Sequence, residues 1–189
     1  GVTTGLIESF VENYKSALSD LNIVRRDLGL APPPHLDGAT IGAFYTQPED
    51  VDDATLAQLA LSDEMVGELE AADVIVIAAP MHNFGLASGL KSWIDHVSRV
   101  GRTFNYTAEG PNGMLTGKKV FVLGARGGNY SSTSPAHGMD FVTPYLKTAL
   151  GFIGLDDVTF INAEGVASGQ EGIELAHQEV KSVVIALAA

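Results

Sequence analysis

Two short segments of the sequence combine side chains and backbone groups that suit a flat heteroaromatic ligand. In the first, residues 80–84, a proline that fixes the turn is followed by an amide and an aromatic side chain. A flat ring needs apolar or aromatic cover on its faces and fixed amide donors and acceptors at its edges. In the second, residues 125–130, paired glycines let the backbone approach a ligand closely and present N–H groups to it. The candidate ligand-binding residues are Pro80, Met81, His82, Asn83, Phe84, Ala125, Arg126, Gly127 and Gly128.

Both segments directly follow unbroken apolar runs, residues 74–79 and 120–125, which predict strands buried on both faces of a parallel sheet. In an open α/β sheet, ligands bind beyond the carboxyl ends of the strands, so we expect the two segments at one edge of the sheet. Taken singly, either segment is equally typical of the turn that ends a strand, and Pro80 is expected to end the first of them. The combination favours a binding site.

The rest of the sequence alternates between helical and strand-like patterns. Helical spacing of apolar residues marks residues 6–18, 55–71, 86–97, 141–150 and 172–187, and strand-like patterns mark 22–28 and 158–163. The proline-rich residues 31–34 and the stretch that follows to residue 53 are expected to be irregular, and the Gly-rich, aromatic segment up to Gly117 is assigned no element. The alternation predicts one α/β domain over residues 1–189, with a doubly wound parallel sheet between two layers of helices.

Composition narrows the possible functions. The chain has no cysteine, which excludes disulfides, thiolate metal sites and a cysteine nucleophile. A net charge of −12, with only 11 basic residues, argues against nucleic-acid binding, which depends on clustered Lys and Arg. No apolar run approaches the length of a bilayer span, and the five histidines show no metal-ligand spacing, so neither a membrane nor a metal is expected. A cytoplasmic location is the default expectation.

A longer series of motifs includes both candidate segments. In chain order the motifs are Pro80–Phe84, Leu90–Asp95, Gly101–Thr107, Gly110–Pro111, Leu115–Lys119, Arg126–Gly128, Val142–Leu146, Leu150–Gly154 and Ala163–Gly165. In order and spacing this series resembles the FMN-dependent NADH:quinone reductases known as azoreductases, over nearly the whole chain. The resemblance implies a flavodoxin-like fold, FMN as cofactor, NADH or NADPH as co-substrate, a quinone or azo compound as substrate, and a homodimer.

The resemblance also implies where the flavin ring lies. Residues 80–84 are expected along the ring, with Met81, Asn83 and Phe84 as its contacts. Residues 126–128 are expected around the pyrimidine end of the ring.

Three further residues, and His82 again, receive expectations, each with an alternative. Thr3 matches a residue of the family's phosphate loop, but it also suits a plain helix N-cap. Phe104 and Phe152 match residues that line the substrate pocket where two subunits meet, although either also suits a core position. His82 stands where the family commonly has tyrosine, and we weigh a proton donor against a packing or hydrogen-bonding role, which we favour.

The predicted elements begin with a helix, whereas a flavodoxin-like sheet, in strand order 2-1-3-4-5, begins with its central strand. We therefore expect a fragmentary sequence that lacks this first strand, so that the neighbouring strands have unpaired backbone groups. Of the phosphate loop, only residues 1–5 would be present, and FMN affinity would be lowered.

The reaction that the resemblance implies is a ping-pong exchange. NAD(P)H gives a hydride to N5 of the flavin and leaves, and the quinone or azo compound then takes two electrons. FMN carries this chemistry, so no catalytic side chain is expected. Two alternatives are an acidic electron carrier like flavodoxin, which the sequence pI of about 4.6 fits, and a remnant that binds no flavin. No acidic or arginine signature distinguishes NADH from NADPH.

Overall fold

The computed structural model describes residues 1–189 as six helices and six strands. The helices are α1 (Val2–Ala17), α2 (Gly38–Phe44), α3 (Asp53–Ala71), α4 (Ser88–Val97), α5 (Thr143–Phe152) and α6 (Glu171–Leu187). The strands are β1 (Val74–His82), β2 (Gly85–Leu86), β3 (Phe104–Thr107), β4 (Gly110–Gly113), β5 (Lys119–Ala125) and β6 (Asp157–Ala163). Every helix predicted from apolar spacing is present. No helix combines the length and the apolar character needed to cross a bilayer.

The main sheet has the strand order β2-β1-β5-β6, in which β1, β5 and β6 are parallel and β2 folds back antiparallel on the end of β1. The register places Pro80 beside Ala125, and Ala125 beside Ala163. The loops that follow β5 and β6 therefore leave the sheet at the same level, next to the turn that joins β1 to β2. This confirms the expectation that the candidate segments share one edge of the sheet.

Two apolar clusters cover the two faces of the sheet. One cluster contains Phe121 and Leu123 of β5 with buried residues of α1 and α6. The other, larger cluster contains Val120 and Val122 of β5 with residues of α3, α4 and α5, including the buried Trp93. Since successive strand residues point to opposite faces, this arrangement is the predicted three-layer α/β/α architecture.

The strand predicted at residues 22–28 is wrong. Residues 19–26 make no backbone–backbone hydrogen bond, and residues 74–80 of β1 pair only with β5, so neither has a partner on the other side. A strand forms only when its backbone groups bond to a neighbouring strand, and an apolar sequence pattern cannot show whether such a neighbour is present.

Ion pairs hold this extended segment instead. Arg25 forms a bidentate pair with Glu8 of α1, and Arg26 pairs with Glu64 and Glu68 of α3. The two arginines therefore reach helices that lie on opposite faces of the sheet.

Strand β1 differs from its prediction in two respects. Ala78 is exposed and Val76 is only partly buried, whereas Ile75 and Ile77 are buried, so one face of the strand is fully covered and the other is not. Pro80 does not end the strand, because β1 continues to His82 and turns into β2.

The Gly-rich, aromatic segment, to which the sequence analysis assigned no element, forms the hairpin β3–β4. The hairpin packs against the end of α5, where the N–H of Leu115 donates to the carbonyl of Ile153 at 2.9 Å. At the contact, a β-carbon on Gly113 would lie 2.1 Å from the nitrogen of Gly154. Only two glycines permit this close approach of backbones.

Candidate functional site

The first candidate segment forms the tight turn between β1 and β2. His82 pairs with Gly85, and the two residues between them have positive φ angles, 49° at Asn83 and 70° at Phe84. Left-handed angles at both central positions are typical of the type I′ turns that join antiparallel strands. For a phenylalanine this conformation costs about 1 kcal/mol. The turn is thus held in a strained shape that exposes 41% of Phe84.

The other residues of this segment differ in exposure. Asn83 is exposed, and its amide side chain bonds to no group of the chain. His82 is also exposed, and neither ring nitrogen has a hydrogen-bond partner within the chain. Pro80 and Met81 are partly buried, and Met81 packs against the larger core.

The second candidate segment is fixed from behind by the loop that follows β6. The carbonyls of Arg126, Gly127 and Gly128 accept hydrogen bonds from the N–H groups of residues 165–167 at 2.9 to 3.2 Å. Gly127 and Gly128 themselves are exposed, whereas Ala125 is partly buried.

The donors of this segment are free. The N–H groups of Gly127, Gly128 and Asn129 donate to no group of the chain. The segment therefore combines fixed carbonyls with three successive unused donors, which is the chemistry expected for ring oxygens of a ligand.

Arg126 has a buried side chain, which differs from the cofactor contact expected of it. Its side chain is 3% exposed, and its Nη1 atom lies 3.1 Å from Asp140 Oδ2 and 3.0 Å from Glu164 Oε1. Its Nη2 atom donates to the hydroxyl of Thr143 at 2.6 Å. The backbone N–H of Arg126 also donates to the carbonyl of Ala163 at 3.0 Å, so Arg126 itself offers no exposed polar group to a ligand, whereas the glycines that follow it do.

Asp140 was not among the residues that the sequence analysis selected. Its Oδ1 atom accepts hydrogen bonds from the N–H groups of Val142 and Thr143 at the start of α5. Burial pushes the pKa of Asp140 upward, but hydrogen bonds from Thr143 and the charge of Arg126 outweigh it, so the pKa lies below its ordinary value. The carboxylate is therefore charged at neutral pH.

The residue after Asp140 reaches the first segment. The N–H of Phe141 donates to the carbonyl of Phe84 at 3.1 Å. Residues 140 and 141 thus join the two candidate segments, one through Arg126 and the other through Phe84. Nothing in the local sequence around Asp140 signals this role, because its partners are distant along the chain.

Tyr130 is a second link that the sequence analysis did not select, although it lies only two residues after Gly128. Its ring atoms lie 3.3 to 3.5 Å from the position of a β-carbon built on Gly128. The ring is also edge-on to Phe84, with centroids 6.4 Å apart. The backbone N–H of Tyr130 donates to Glu164 at 2.8 Å.

Thr3 lies in the first turn of α1 and is buried. The N-cap residue is Gly1, which has no side chain to cap the helix, so the alternative of Thr3 as a plain N-cap is wrong. The first backbone bond of the helix is donated by Gly5, which leaves the preceding N–H groups free for an anion.

Phe104 and Phe152 contact each other, with ring centroids 4.4 Å apart. Phe104 is buried in the larger core, and Phe152 is partly buried against it. Neither forms an aromatic pair with Phe84 or Tyr130. The geometry of the single chain therefore fits the core alternative for Phe104 and leaves only Phe152 partly accessible.

The residues at the sheet edge fit the isoalloxazine ring of FMN. An exposed aromatic side chain, Phe84, is available to a ring face, and an unused amide, that of Asn83, is available to a ring edge. Three free N–H groups at residues 127–129 match the ring's carbonyl oxygens.

Comparison with known proteins also indicates an FMN-binding protein. The sequence matches the model of a family described by its flavodoxin-like fold over residues 1–184. An FMN-dependent NADH:quinone oxidoreductase of Herminiimonas arsenicoxydans is 53% identical over 176 residues, 93% of this chain and 85% of the relative. An FMN-dependent NADH:quinone oxidoreductase of Azotobacter vinelandii is 46% identical over 186 residues, which are 96% of this chain and 92% of the relative.

A solved structure is also closely similar. An FMN-dependent NADH-azoreductase of Bacillus anthracis str. Ames Ancestor, in complex with FMN, has a TM-score of 0.89 at 26% identity and covers all of this chain and 92% of its own. An azoreductase of Bacillus anthracis str. Sterne has a TM-score of 0.88 at 28% identity and covers 97% of this chain and 91% of its own.

Proposed function

Since the chain belongs to the flavodoxin-like family whose model spans residues 1–184, we propose that it is an FMN-dependent NADH:quinone oxidoreductase that also reduces azo compounds. Relatives of this description are up to 53% identical to it over most of its length. The observation that carries the proposal is the set of unused N–H groups at residues 127–129, beside the exposed turn at Asn83 and Phe84.

FMN, when bound, supplies the two-electron chemistry between NADH or NADPH and the acceptor. The chain holds the ring. Phe84 covers part of a face, the amide of Asn83 meets an edge, and the N–H groups of residues 127–129 bind the carbonyl oxygens at the pyrimidine end. The free N–H groups at the start of α1, together with Thr3, bind the phosphate. His82 is exposed beside this turn.

The substrate pocket and the homodimer belong to the same proposal. Phe152 is the accessible member of the aromatic pair with Phe104, so it is the one that contacts the substrate, while Phe104 supports it from the core. A second copy of the chain covers exposed aromatic side chains such as Tyr106 and Phe141, which are 70% and 62% exposed. A cytoplasmic location agrees with a supply of NADH.

The test is a flavin titration followed by turnover. We expect the purified chain to shift the flavin absorbance band on adding FMN, NADH to bleach that band, and menadione to restore it. Bleaching without turnover by menadione or an azo dye indicates an electron carrier and contradicts the enzyme. A folded chain that leaves the FMN spectrum unchanged contradicts the flavin site itself.

Riboflavin is the matched control for the phosphate. It shares the ring of FMN but lacks the phosphate, so we expect it to bind more weakly if the start of α1 contributes. Equal dissociation constants for the two ligands contradict the phosphate site and leave the ring site in place.

A further inference from the structure

A buried cluster of three ionised side chains lies behind the Gly127–Gly128 segment. Arg126 is its centre, and the carboxylates of Asp140 and Glu164 approach the same Nη1 atom at 3.1 and 3.0 Å. The side chains of Arg126 and Asp140 are almost completely buried, and that of Glu164 is 20% exposed. One cation therefore faces two carboxylates, which leaves an excess of one negative charge.

The cluster joins three loops. Arg126 follows β5, Glu164 follows β6, and Asp140 precedes α5. Asp140 also accepts hydrogen bonds from the N–H groups at the start of α5. Glu164 uses its second oxygen for the N–H of Tyr130 at 2.8 Å, so both ends of the segment 126–130 are attached to the cluster. The residue after Asp140 carries the attachment to the Phe84 turn.

These contacts leave little freedom for substitution. The Nε atom of Arg126 is buried and has no partner, so the guanidinium is already incompletely satisfied. Removing a carboxylate leaves more of a buried cation unpaired, which is strongly unfavourable. The segment can relieve this only by moving Arg126 toward solvent, and Gly127 and Gly128 would move with it.

We propose that Asp140 and Glu164 are positioning residues of the FMN site, a conclusion that depends on the function proposed above. Through Arg126 they hold the free donors of residues 127–129 and the Phe84 turn in the relative arrangement that a single ring requires. Their negative excess also disfavours reduction of the ring, because reduction adds electron density near the pyrimidine end. The bound cofactor therefore has a lower midpoint potential than it would have behind a neutral cluster.

The first experiment measures FMN affinity and potential in D140N and E164Q. Each substitution preserves the size of the side chain and one acceptor oxygen while it removes one negative charge. We expect the dissociation constant of FMN to rise roughly tenfold, as for other residues that orient a ligand's direct contacts, and the midpoint potential to become more positive. E49Q is the control, since Glu49 is exposed in the short 3₁₀ turn Pro48–Asp50 and its substitution changes net charge equally.

The midpoint potential of the bound FMN distinguishes a positioning role of the carboxylates from a general loss of structure. If D140N fails to fold, E164Q carries the test, because Glu164 is the less buried carboxylate. An affinity and potential equal to those of E49Q in a folded variant overturn the proposal. Failure of the unsubstituted chain to bind FMN counts instead against the proposed function.

The second experiment uses hydrogen exchange in the protein without flavin, and so tests the link itself. We expect D140A to raise exchange both at the hydrogen-bonded amides of residues 126, 130 and 131 and at residues 82–86, with E49Q unchanged at both. Increased exchange confined to residues 126–131 would show that Asp140 does not join the two segments and would overturn that part of the proposal.

Discussion

The ring of Tyr130 meets the ring of Phe84 edge-on, with centroids 6.4 Å apart and an interplanar angle of 77°. The two residues follow different strands, β5 and β1, so this contact sets the spacing between the two candidate segments independently of the buried cluster. An edge-on pair of this kind contributes about 0.5 to 1.5 kcal/mol beyond its buried area.

Replacing Tyr130 by alanine should therefore weaken FMN binding by roughly threefold to tenfold, since the Phe84 ring loses its support. Tyr130→Phe is the matched control, because it keeps the ring and removes only a hydroxyl that makes no hydrogen bond in the chain. Fluorescence titration of FMN measures both. Equal losses in the two variants would show that the hydroxyl, and not the ring contact, matters.

The left-handed angle at Phe84 gives a prediction about stability. Phe84→Gly and Phe84→Ala both remove the ring, but glycine adopts a φ of 70° without strain and alanine does not. We expect the glycine variant to be more stable than the alanine variant by about 1 kcal/mol in urea unfolding. A more stable alanine variant would contradict the strained turn.

The lowered pKa of Asp140 predicts a dependence on pH. A carboxyl group whose pKa is lower in the folded than in the unfolded state stabilises the fold above its unfolded value, here 3.8. This stabilisation decreases as the pH falls through the folded pKa. The unfolding free energy of the unsubstituted chain should thus exceed that of D140N at pH 7, and the difference should shrink in the acid range below 3.8. A difference that is constant with pH would contradict the charge of Asp140.

The contact between Gly113 and Gly154 predicts a steric effect. A β-carbon at position 113 would lie 2.1 Å from a backbone nitrogen, so Gly113→Ala must displace the hairpin from the end of α5. We expect a loss of about 1 to 3 kcal/mol in unfolding free energy. Gly138→Ala is the control, because a β-carbon there meets nothing within 4 Å. Similar stabilities for the two variants would show that the hairpin is free to move.

The sequence predicted the elements whose signal is local. The apolar runs at residues 74–79 and 120–125 became β1 and β5, and the spacing at residues 6–18 became α1, because burial of an apolar face needs no particular partner. The strand expected at residues 22–28 failed for the opposite reason, since it requires a ladder partner that no local pattern supplies.

The same distinction applies to the site. The segments around Phe84 and Gly128 were found because glycine, proline and amide residues after an apolar run are a local signal. Asp140 and Glu164 were missed because each acts on Arg126 from a distance of 14 or more positions along the chain. Arg126 was also predicted as a ligand contact because it lies in the glycine-rich segment, whereas its guanidinium is buried in the fold.

The extended residues 19–26 are attached by charge and not by backbone hydrogen bonds. Exposed ion pairs such as Arg25–Glu8 contribute about 0 to 1 kcal/mol and are weakened by salt. This part of the chain should therefore open locally, in an equilibrium that ionic strength shifts while the parallel strands stay closed. One small domain therefore has two regimes of motion. The sheet core opens only when the whole domain unfolds, whereas residues 19–26 detach at a small free-energy cost that decreases as the salt concentration rises.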